Sequence, residues 1–462
     1  MATRTVLHEL TFLLGLLCVA KADTGHFWHV TDHHLDFTFD EDAVSCHDDL
    51  TPSQRGRFGN GLCDAPWRLI NSSVYAMKEI APNVDFIIWT GDNILHTTNE
   101  SRDLSTAINL STLDNITRLL RDVFPDVTTY PAFGNHDYFP DAQFPSHDNE
   151  MYQHMEITWG VWVNDSNFRR TFRKGGYYSS LIRPGLRLIS LNTNLYYTRN
   201  RLALNFTDMT DPAGQFKWLN DTLAAAVRTK EKVIVIAHIS PGLKGYEGFL
   251  WMYEPYNDLL NRVISRYTES GVIRAMHFGH DHDDEFKIYY DNKGVPRIPV
   301  FIAPSVTPWR YKDSQGELGR PHNPGIRLVS YDRSNGRHLD IKQYYLDLEK
   351  ANRDRHAQWQ LLYKATEIYD IPDVTAGSLS KARKRMLHSS KKHVQDYYER
   401  ITLMADDSKC DAKCRYSIYC GMRYFDIPGF NKCLQKYPSL AFRPVSSCFK
   451  LVVALVVLLQ LF

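Results

Sequence analysis

Residues 131–139 read PAFGNHDYF and follow directly on the strand-like run VTTY at 127–130. A glycine closing an apolar run marks a backbone that turns sharply or approaches another segment closely, and Asn and His side chains buried beside it need partners. The same kind of ending recurs along the chain. HFWHV (26–30) runs into TDHH, VDFIIW (84–89) into TGDN, LRLIS (186–190) into LNTN, KVIVI (232–236) into AH, RAMHF (274–278) into GHDH, and VFI (300–302) into APSVTP. Between the second and third of the polar endings, Leu110, Leu113, Ile116, Leu120 and Phe124 recur at three- and four-residue steps, which predicts an amphipathic helix over 108–124 lying on a sheet. Strands alternating with such helices define an α/β chain.

In α/β sheets, ligands gather beyond the carboxyl ends of the strands, and the polar residues at those ends are the site candidates. They are Asp32, His34, Asp92, Asn135, His136, His238, His280 and His282. Taken singly each is a weak signal: a lone His after an apolar strand, such as His238, is usually a hydrogen-bonded core residue. Together, His136 apart, they supply three oxygen donors and four imidazoles, a mixed shell for two divalent ions. Imidazole with carboxylate suits zinc, manganese or iron rather than calcium or magnesium. If the D-x-H pairs lie in strands, each puts both side chains on one face. Asp92, with two oxygens, is the candidate bridge between ions about 3.5–4 Å apart.

Composition narrows the partners. Lys plus Arg number 54 against 53 Asp plus Glu, a net charge of +1, so the chain carries no electrostatic footprint for a long nucleic acid. With 462 residues and 43% hydrophobic residues it can bury a sizeable core.

Several features point to the secretory pathway. An uncharged apolar run from Leu10 to Ala20 ends in Ala20-Lys21-Ala22, the form of a signal-peptidase site, so residues 1–22 are expected to be a signal peptide. The last residues, LVVALVVLLQLF at 451–462, span about 18 Å as a helix, short of a hydrocarbon core of roughly 30 Å. No basic flank follows them. Preceded by small residues at Ser439 and Ala441, they predict a GPI-attachment signal over 438–462. Sequons stand at Asn71, Asn99, Asn109, Asn115, Asn164, Asn205 and Asn220, expected glycan acceptors in a secreted chain. Besides Cys18 and Cys448 there are six cysteines, Cys46, Cys63, Cys410, Cys414, Cys420 and Cys433, and an oxidising compartment favours disulfides among them. Clustering isolates Cys46 with Cys63; the connectivity of the other four is open.

From about residue 350 the character turns helical and charged, with Trp359, Leu362, Tyr363 and Ile368 expected on one helix face. A basic run, KARKRMLHSSKK at 381–392, reads as a solvated helix face rather than a polyanion patch. The expected division is a catalytic domain over 23–345 and a helical subdomain over 346–437.

The motifs D-x-H, GD, GNH, H and GH-x-H, in this order, resemble those of the calcineurin-like metallophosphoesterases. FWHVTDHHLD, WTGDN with His96 four residues after Asp92, GNHDYFP, RLISLNTNLYY and HNPGIRL (322–328) narrow the resemblance to the acid sphingomyelinase-like phosphodiesterases, over nearly the whole mature chain. The resemblance implies a β-sandwich flanked by helices, with a C-terminal helical disulfide-bonded subdomain. It implies two Zn2+ ions, one held by Asp32, His34, Asp92 and His282, the other by Asp92, Asn135, His238 and His280, with His136 and His96 as the non-ligand catalytic histidines. It also implies the disulfides Cys46–Cys63, Cys410–Cys414 and Cys420–Cys433. Two residues depart from the family pattern: His33, where an apolar residue is common, and Asp281, where Thr is common and where an extra acid would weaken binding of anions.

The expected activity is hydrolysis of small phosphodiesters, nucleotide-type or lipid head-group, by in-line attack of a metal-activated water with His136 as general acid, helped or replaced by His96. Gly134 is expected to let the backbone turn beneath the ions. Asp137 is expected either to accept the second N–H of His136 or to cap a short helix. Acid sphingomyelinase itself carries a saposin-like domain before its catalytic domain; here the first ligand motif comes about ten residues after the expected cleavage point, so small soluble diesters are expected to be preferred over bilayer sphingomyelin. A purple-acid-type phosphomonoesterase is disfavoured because Asn93, Ile94 and Leu95, and no Tyr, follow Asp92. Phosphodiester hydrolysis by the chain would modulate membrane lipid or innate immune signalling. The other class weighed is a GPI-anchored membrane interaction or regulatory protein with residual or no catalysis; an intact ligand set argues against it. The chain is expected to act as a monomer at the extracellular face of the plasma membrane, anchored in the outer leaflet or released.

Overall fold

A computed structural model describes residues 23–39, 56–96, 104–163, 165, 167–245, 247–311, 317–388 and 391–437. The expected signal peptide, the GPI signal, Cys46, Asn99 and Asn164 lie outside these residues.

The apolar runs form strands. β1 (Thr24–Val30), β2 (Phe86–Trp89) and β3 (Thr128–Pro131) are followed by β4 (Tyr178–Arg183), β5 (Leu186–Ser190), β6 (Lys232–Ile236), β7 (Ile273–Phe278), β8 (Glu285–Tyr290) and β9 (Pro296–Ile302), and then by β10 (Gly325–Asp332), β11 (His338–Leu346) and β12 (Trp359–Lys364). One six-stranded sheet has the order β12-β11-β10-β1-β2-β3 and the other the order β4-β5-β6-β7-β9-β8. In the first sheet β1-β2-β3 run parallel at one end and β10, β11 and β12 add antiparallel on the other, while in the second a parallel centre, β5-β6-β7-β9, is flanked by antiparallel β4 and β8. The all-apolar faces of FIIW and KVIVI follow from burial on both sides of a parallel strand.

The sheets face each other across Phe27 and His29 of β1 and His277 of β7, whose rings lie 5.5 and 5.2 Å from that of His277. Helices cover the outer faces. The helix predicted over 108–124 runs from Thr106 to Val123 and buries Leu110, Leu113, Ile116 and Leu120. It begins where the Ser105 hydroxyl accepts the N–H of Ile108, a side-chain N-cap. This is the helix-flanked β-sandwich expected of the calcineurin-like fold.

The C-terminal region differs in one respect. Trp359, Leu362 and Tyr363 lie not on a helix but in β12, paired with β11 at the edge of the first sheet. Their apolar spacing satisfies either period over so short a run, and pairing to an open sheet edge decides. Helices Ala376–His388, Lys391–Ile401, Ala412–Gly421 and Ile427–Leu434 follow, with disulfides Cys410–Cys414 and Cys420–Cys433. Cys63 is also disulfide-bonded. In the basic run Lys381 and Lys384 are exposed, but Arg383 is buried with its guanidinium 3.6 Å from the Tyr419 ring centroid. Among the described residues no helix is long and apolar enough to cross a membrane.

Candidate metal centre and active site

Asp32 and His34 come just after β1, Asp92 after β2, Asn135 and His136 after β3, His238 after β6, and His280 and His282 after β7. The carboxyl ends of five strands from both sheets thus meet at one place. The D-x-H pairs do not share a face by strand alternation. Asp32, His34, His280 and His282 all have left-handed backbone, with φ of 51, 42, 72 and 59°, as does Asp92 with 56°. Such angles are uncommon for non-glycine residues and cluster at functional sites, where surrounding structure enforces them.

Two glycines let the loops close. A Cβ on Gly91 would sit 2.1 Å from the Gly134 nitrogen, and one on Gly134 would sit 2.0 Å from the Asp92 nitrogen. Gly134 itself has φ −89°, so it is needed for close approach and not, as the sequence suggested, for a turn.

The donor atoms converge on two centres. Donor atoms of Asp32, His34 and Asp92 lie within 4.8 Å of one another, and so do those of Asp92, His238 and His280. Asp92 belongs to both. Its Oδ1 accepts the N–H of His136 at 2.8 Å, while Oδ2 lies 3.5 Å from His34 Nε2 and 3.0 Å from His238 Nε2. A single oxygen therefore faces both centres. Asn135 Oδ1 is 3.2 Å from His238 Nε2, and His282 Nε2 is 3.4 Å from Asp32 Oδ1. All the ligand candidates placed by sequence are brought together.

The chemistry of this set fits divalent metal. His34 Nδ1 lies 2.8 Å from the Ile94 carbonyl and His238 Nδ1 2.7 Å from that of Thr90. A carbonyl only accepts, so Nδ1 carries the proton in each and the Nε2 lone pair points inward. There His34 Nε2 meets His282 Nε2 at 3.2 Å and His238 Nε2 meets His280 Nδ1 at 3.3 Å. Lone pairs aimed at each other beside buried carboxylates call for a shared cation. The field has that sign: burial opposes charging His238, yet Asp92 and Asp32 raise it to about 9. Asp92 is held below the usual carboxylate range, burial being outweighed by His238 and His136.

Around the centre stand residues that sequence reasoning assigned wrongly or missed. His136 Nδ1 pairs with Asp141 Oδ1 at 3.0 Å, and not with Asp137. Asp137 takes its other expected place, capping the short helix Asn135–Asp137 by accepting the Gly134 N–H at 2.8 Å, and it also accepts the N–H of Asn93 at 2.7 Å, bracing the two loops. Against the opposing effect of burial, Asp141 and Asp92 raise His136 to about 9. His96 donates its backbone N–H to Asp64 Oδ2 at 2.6 Å, and its Nδ1 lies 2.8 Å from Asp64 Oδ1. Its ring is stacked between those of His34 and Trp309, at 3.9 and 3.6 Å. Donor atoms of His96, His34 and His282 also fall within 4.8 Å, so His96 borders the first centre more closely than its non-ligand assignment implied. Burial and the neighbouring His34 and His136 push His96 well below the ordinary histidine range. Nothing in its local sequence singled out Asp64, Asp141 or Trp309; each arrives from a loop remote from the histidine it touches or from a neighbour other than the adjacent one.

Two expectations about charge and glycan need correcting. The Asp281 carboxylate is not an uncompensated acid facing the centre, since Oδ1 accepts the Trp251 indole N–H at 2.6 Å and lies 4.0 Å from Lys244 Nζ. Asn109 is 1% exposed, and its amide nitrogen donates to the carbonyls of His136 and Asp137 at 3.4 and 3.3 Å. A glycan on that nitrogen is incompatible with the fold; the sequon instead supplies a prop beneath the His136 loop. Asn115 and Asn205 are exposed, and Asn71 and Asn220 half-buried. His33 is buried, with Nδ1 3.1 Å from Asn93 Oδ1, and burial lowers it to about 4, so it serves as a neutral core residue.

Comparison with known proteins agrees with this geometry. Residues 25–284 match the calcineurin-like phosphoesterase family, and residues 296–439 match the acid sphingomyelin phosphodiesterase C-terminal region. Acid sphingomyelinase-like phosphodiesterase 3b of Mus musculus is 37% identical over 431 residues, covering 90% of this chain and 91% of that protein. The chain belongs to the acid sphingomyelinase-like phosphodiesterase family. Within that family, cyclic GMP-AMP phosphodiesterase SMPDL3A of Homo sapiens is 37% identical over 89% of this chain and 90% of its own length. Sphingomyelinase phosphodiesterase C of Dictyostelium discoideum is 32% identical over 92% and 96%. Among solved structures, a dimetal phosphatase from Danio rerio aligns with TM-score 0.40 and 14% identity over 69% of this chain and 95% of that one. As a member of the acid sphingomyelinase-like family, the chain is a phosphodiester hydrolase with a divalent-metal site.

Proposed function

We propose that this chain is a dinuclear zinc phosphodiesterase that hydrolyses small phosphodiesters, nucleotide-type ones included, as a monomer at the extracellular face of the plasma membrane. The observation that carries the reading is the single Asp92 oxygen facing both His34 and His238, with a full N/O donor set on either side. Imidazole and carboxylate without thiolate support zinc over calcium or magnesium. Asp32, His34, Asp92 and His282 would hold one ion, and Asp92, Asn135, His238 and His280 the other. Two ions held there would supply Lewis acidity toward the phosphate oxygens and a water of lowered pKa.

The chain's own residues do the rest. His136 carries the proton that the leaving alkoxide needs, and Asp141 at its Nδ1 both fixes the ring and favours its protonated form. His96, neutral and clamped between Asp64 and Trp309, is suited to hydrogen-bond the phosphate rather than to donate a proton. Aromatic surface borders the centre on both sides, Trp309 beside His96 and Trp251 with Tyr197 beside His280, which supports planar groups on the diester. The name of one relative, a cyclic GMP-AMP phosphodiesterase, supports a nucleotide substrate as well.

Cell-surface placement rests on the sequence of residues 1–22 and 438–462, which support secretion and a GPI anchor. The test is kcat/KM for a panel of nucleotide diesters and for sphingomyelin in micelles and vesicles, with His136→Ala as the blank. Vesicle sphingomyelin turning over faster than every soluble diester rejects the substrate class, and hydrolysis that survives full chelation rejects the metal. Phosphatidylinositol-specific phospholipase C should release the protein from intact cells; retention there rejects the anchor.

A further inference from the structure

The ligand histidines are not all held in the same way. For His34 and His238 a backbone carbonyl takes the outer N–H. His280 presents Nδ1 inward, 3.3 Å from His238 Nε2, and its other ring nitrogen is buried with no hydrogen-bond partner among the described residues. What meets that ring is aromatic: Trp251 edge-on at 4.5 Å and 82°, and Tyr197 at 5.1 Å and 83°.

Trp251 is itself tied down by the residue that follows His280. Its indole N–H donates to Asp281 Oδ1 at 2.6 Å. The left-handed backbone at His280 and His282, φ 72 and 59°, flanks Asp281, so one side chain of the trio meets the indole while the other two meet the metal centre. Lys244 Nζ stands 5.9 Å over the Trp251 ring and 4.0, 3.6 and 3.4 Å from carboxylate oxygens of Asp281, Asp283 and Glu247. The Asp281 carboxylate is 6% exposed as a residue, and this cation offsets its burial.

We infer that Asp281 and Trp251 form the support that aims His280 at its metal, a carboxylate-bound indole taking the place that a backbone carbonyl fills for His34 and His238. Asp281 is thus a positioning residue acting through Trp251. A metal–imidazole bond is directional, and loss of an outer support ordinarily weakens metal affinity by about 10- to 100-fold. The inference rests on the metal part of the proposed function and is independent of the substrate.

The experiment titrates zinc into the metal-free full-length chain by calorimetry, with a competing chelator where binding is tight, and records thermal melts of every variant. The wild type should take up two ions. Asp281→Ala and Trp251→Phe, which keeps an aromatic ring and removes the N–H, should weaken one of the two by about 10- to 100-fold and leave the other unchanged. Asp281→Asn should restore the affinity, because its amide oxygen still accepts the indole N–H. Should Asp281→Ala fail to fold, Trp251→Phe decides by the same titration. Both affinities unchanged in Trp251→Phe, or Asp281→Asn as weak as Asp281→Ala, overturns the inference. A wild-type chain binding fewer than two ions overturns the metal reading and this inference with it, whereas a two-ion chain inactive on every diester removes only the substrate reading.

Discussion

Asp141 Oδ1 lies 3.0 Å from Nδ1 of His136, five residues earlier in the same loop. The pair gives the proposed general acid a fixed ring and a raised pKa. Its consequence is a pH dependence whose sign can be stated. Asp141 raises His136, so Asp141→Asn should lower it, and the alkaline limb of the kcat/KM profile should move to lower pH. An unmoved limb would separate His136 from that titration.

His136→Ala should leave metal content at the wild-type level while kcat falls by about 10²- to 10⁴-fold, the range of a lost general acid. Metal analysis beside the kinetics checks the assignment. A variant that loses metal makes His136 a ligand.

Asp92 faces both centres, so Asp92→Ala should remove both ions, whereas His34→Ala should chiefly remove the one it faces. Chelation of the wild type should abolish hydrolysis and added zinc should restore it. Equal metal content in the two variants would deny Asp92 its bridging place.

Gly91 and Gly134 lie so close that neither has room for a methyl group. Gly91→Ala, which also needs φ +93°, should cost about 3 kcal/mol or more, because backbone is on the other side of the clash. Gly185→Ala has a similar φ of +80° but open space around it, and should cost about 1 kcal/mol. Denaturant unfolding of both variants compares them; similar losses would mean that strain alone is being measured.

Between the sheets, His277 Nε2 lies 2.9 Å from His338 Nε2, with His29 beside them. Burial pushes His338 down to about 4 and His29 and His277 well below the usual 6.5. These groups stay neutral in the fold but take protons in the unfolded chain, so stability should fall as pH drops through 6.5 toward 4. His338 alone accounts for about 3 kcal/mol over that window. Urea unfolding at pH 7 and 4.5 measures it, and His338→Gln should flatten the slope. Equal stability at both pH values would contradict the burial.

The sequence by itself marked the central strands, a helix over 108–124 that runs from Thr106 to Val123, and the residues that gather at the candidate metal centre. Apolar periodicity reports burial directly, and a D-x-H or GNH motif at the end of an apolar run is visible in one dimension. It did not show how the ligands face one another. Five of them reach the centre through left-handed backbone, not through strand alternation, and such angles are enforced by the packing of loops such as those of Gly91 and Gly134. Nor did it separate the strand at 359–364 from a helix, since an open sheet edge decides between two periods that six residues cannot distinguish. The partners of the site histidines were the least legible. Asp137 is adjacent to His136, but Asp141 reaches it; Asp64 reaches His96 from 32 residues away; Trp251 reaches His280 from a different loop. A side chain's hydrogen bond depends on where the loops close in space, and loop closure is a property of the folded chain alone.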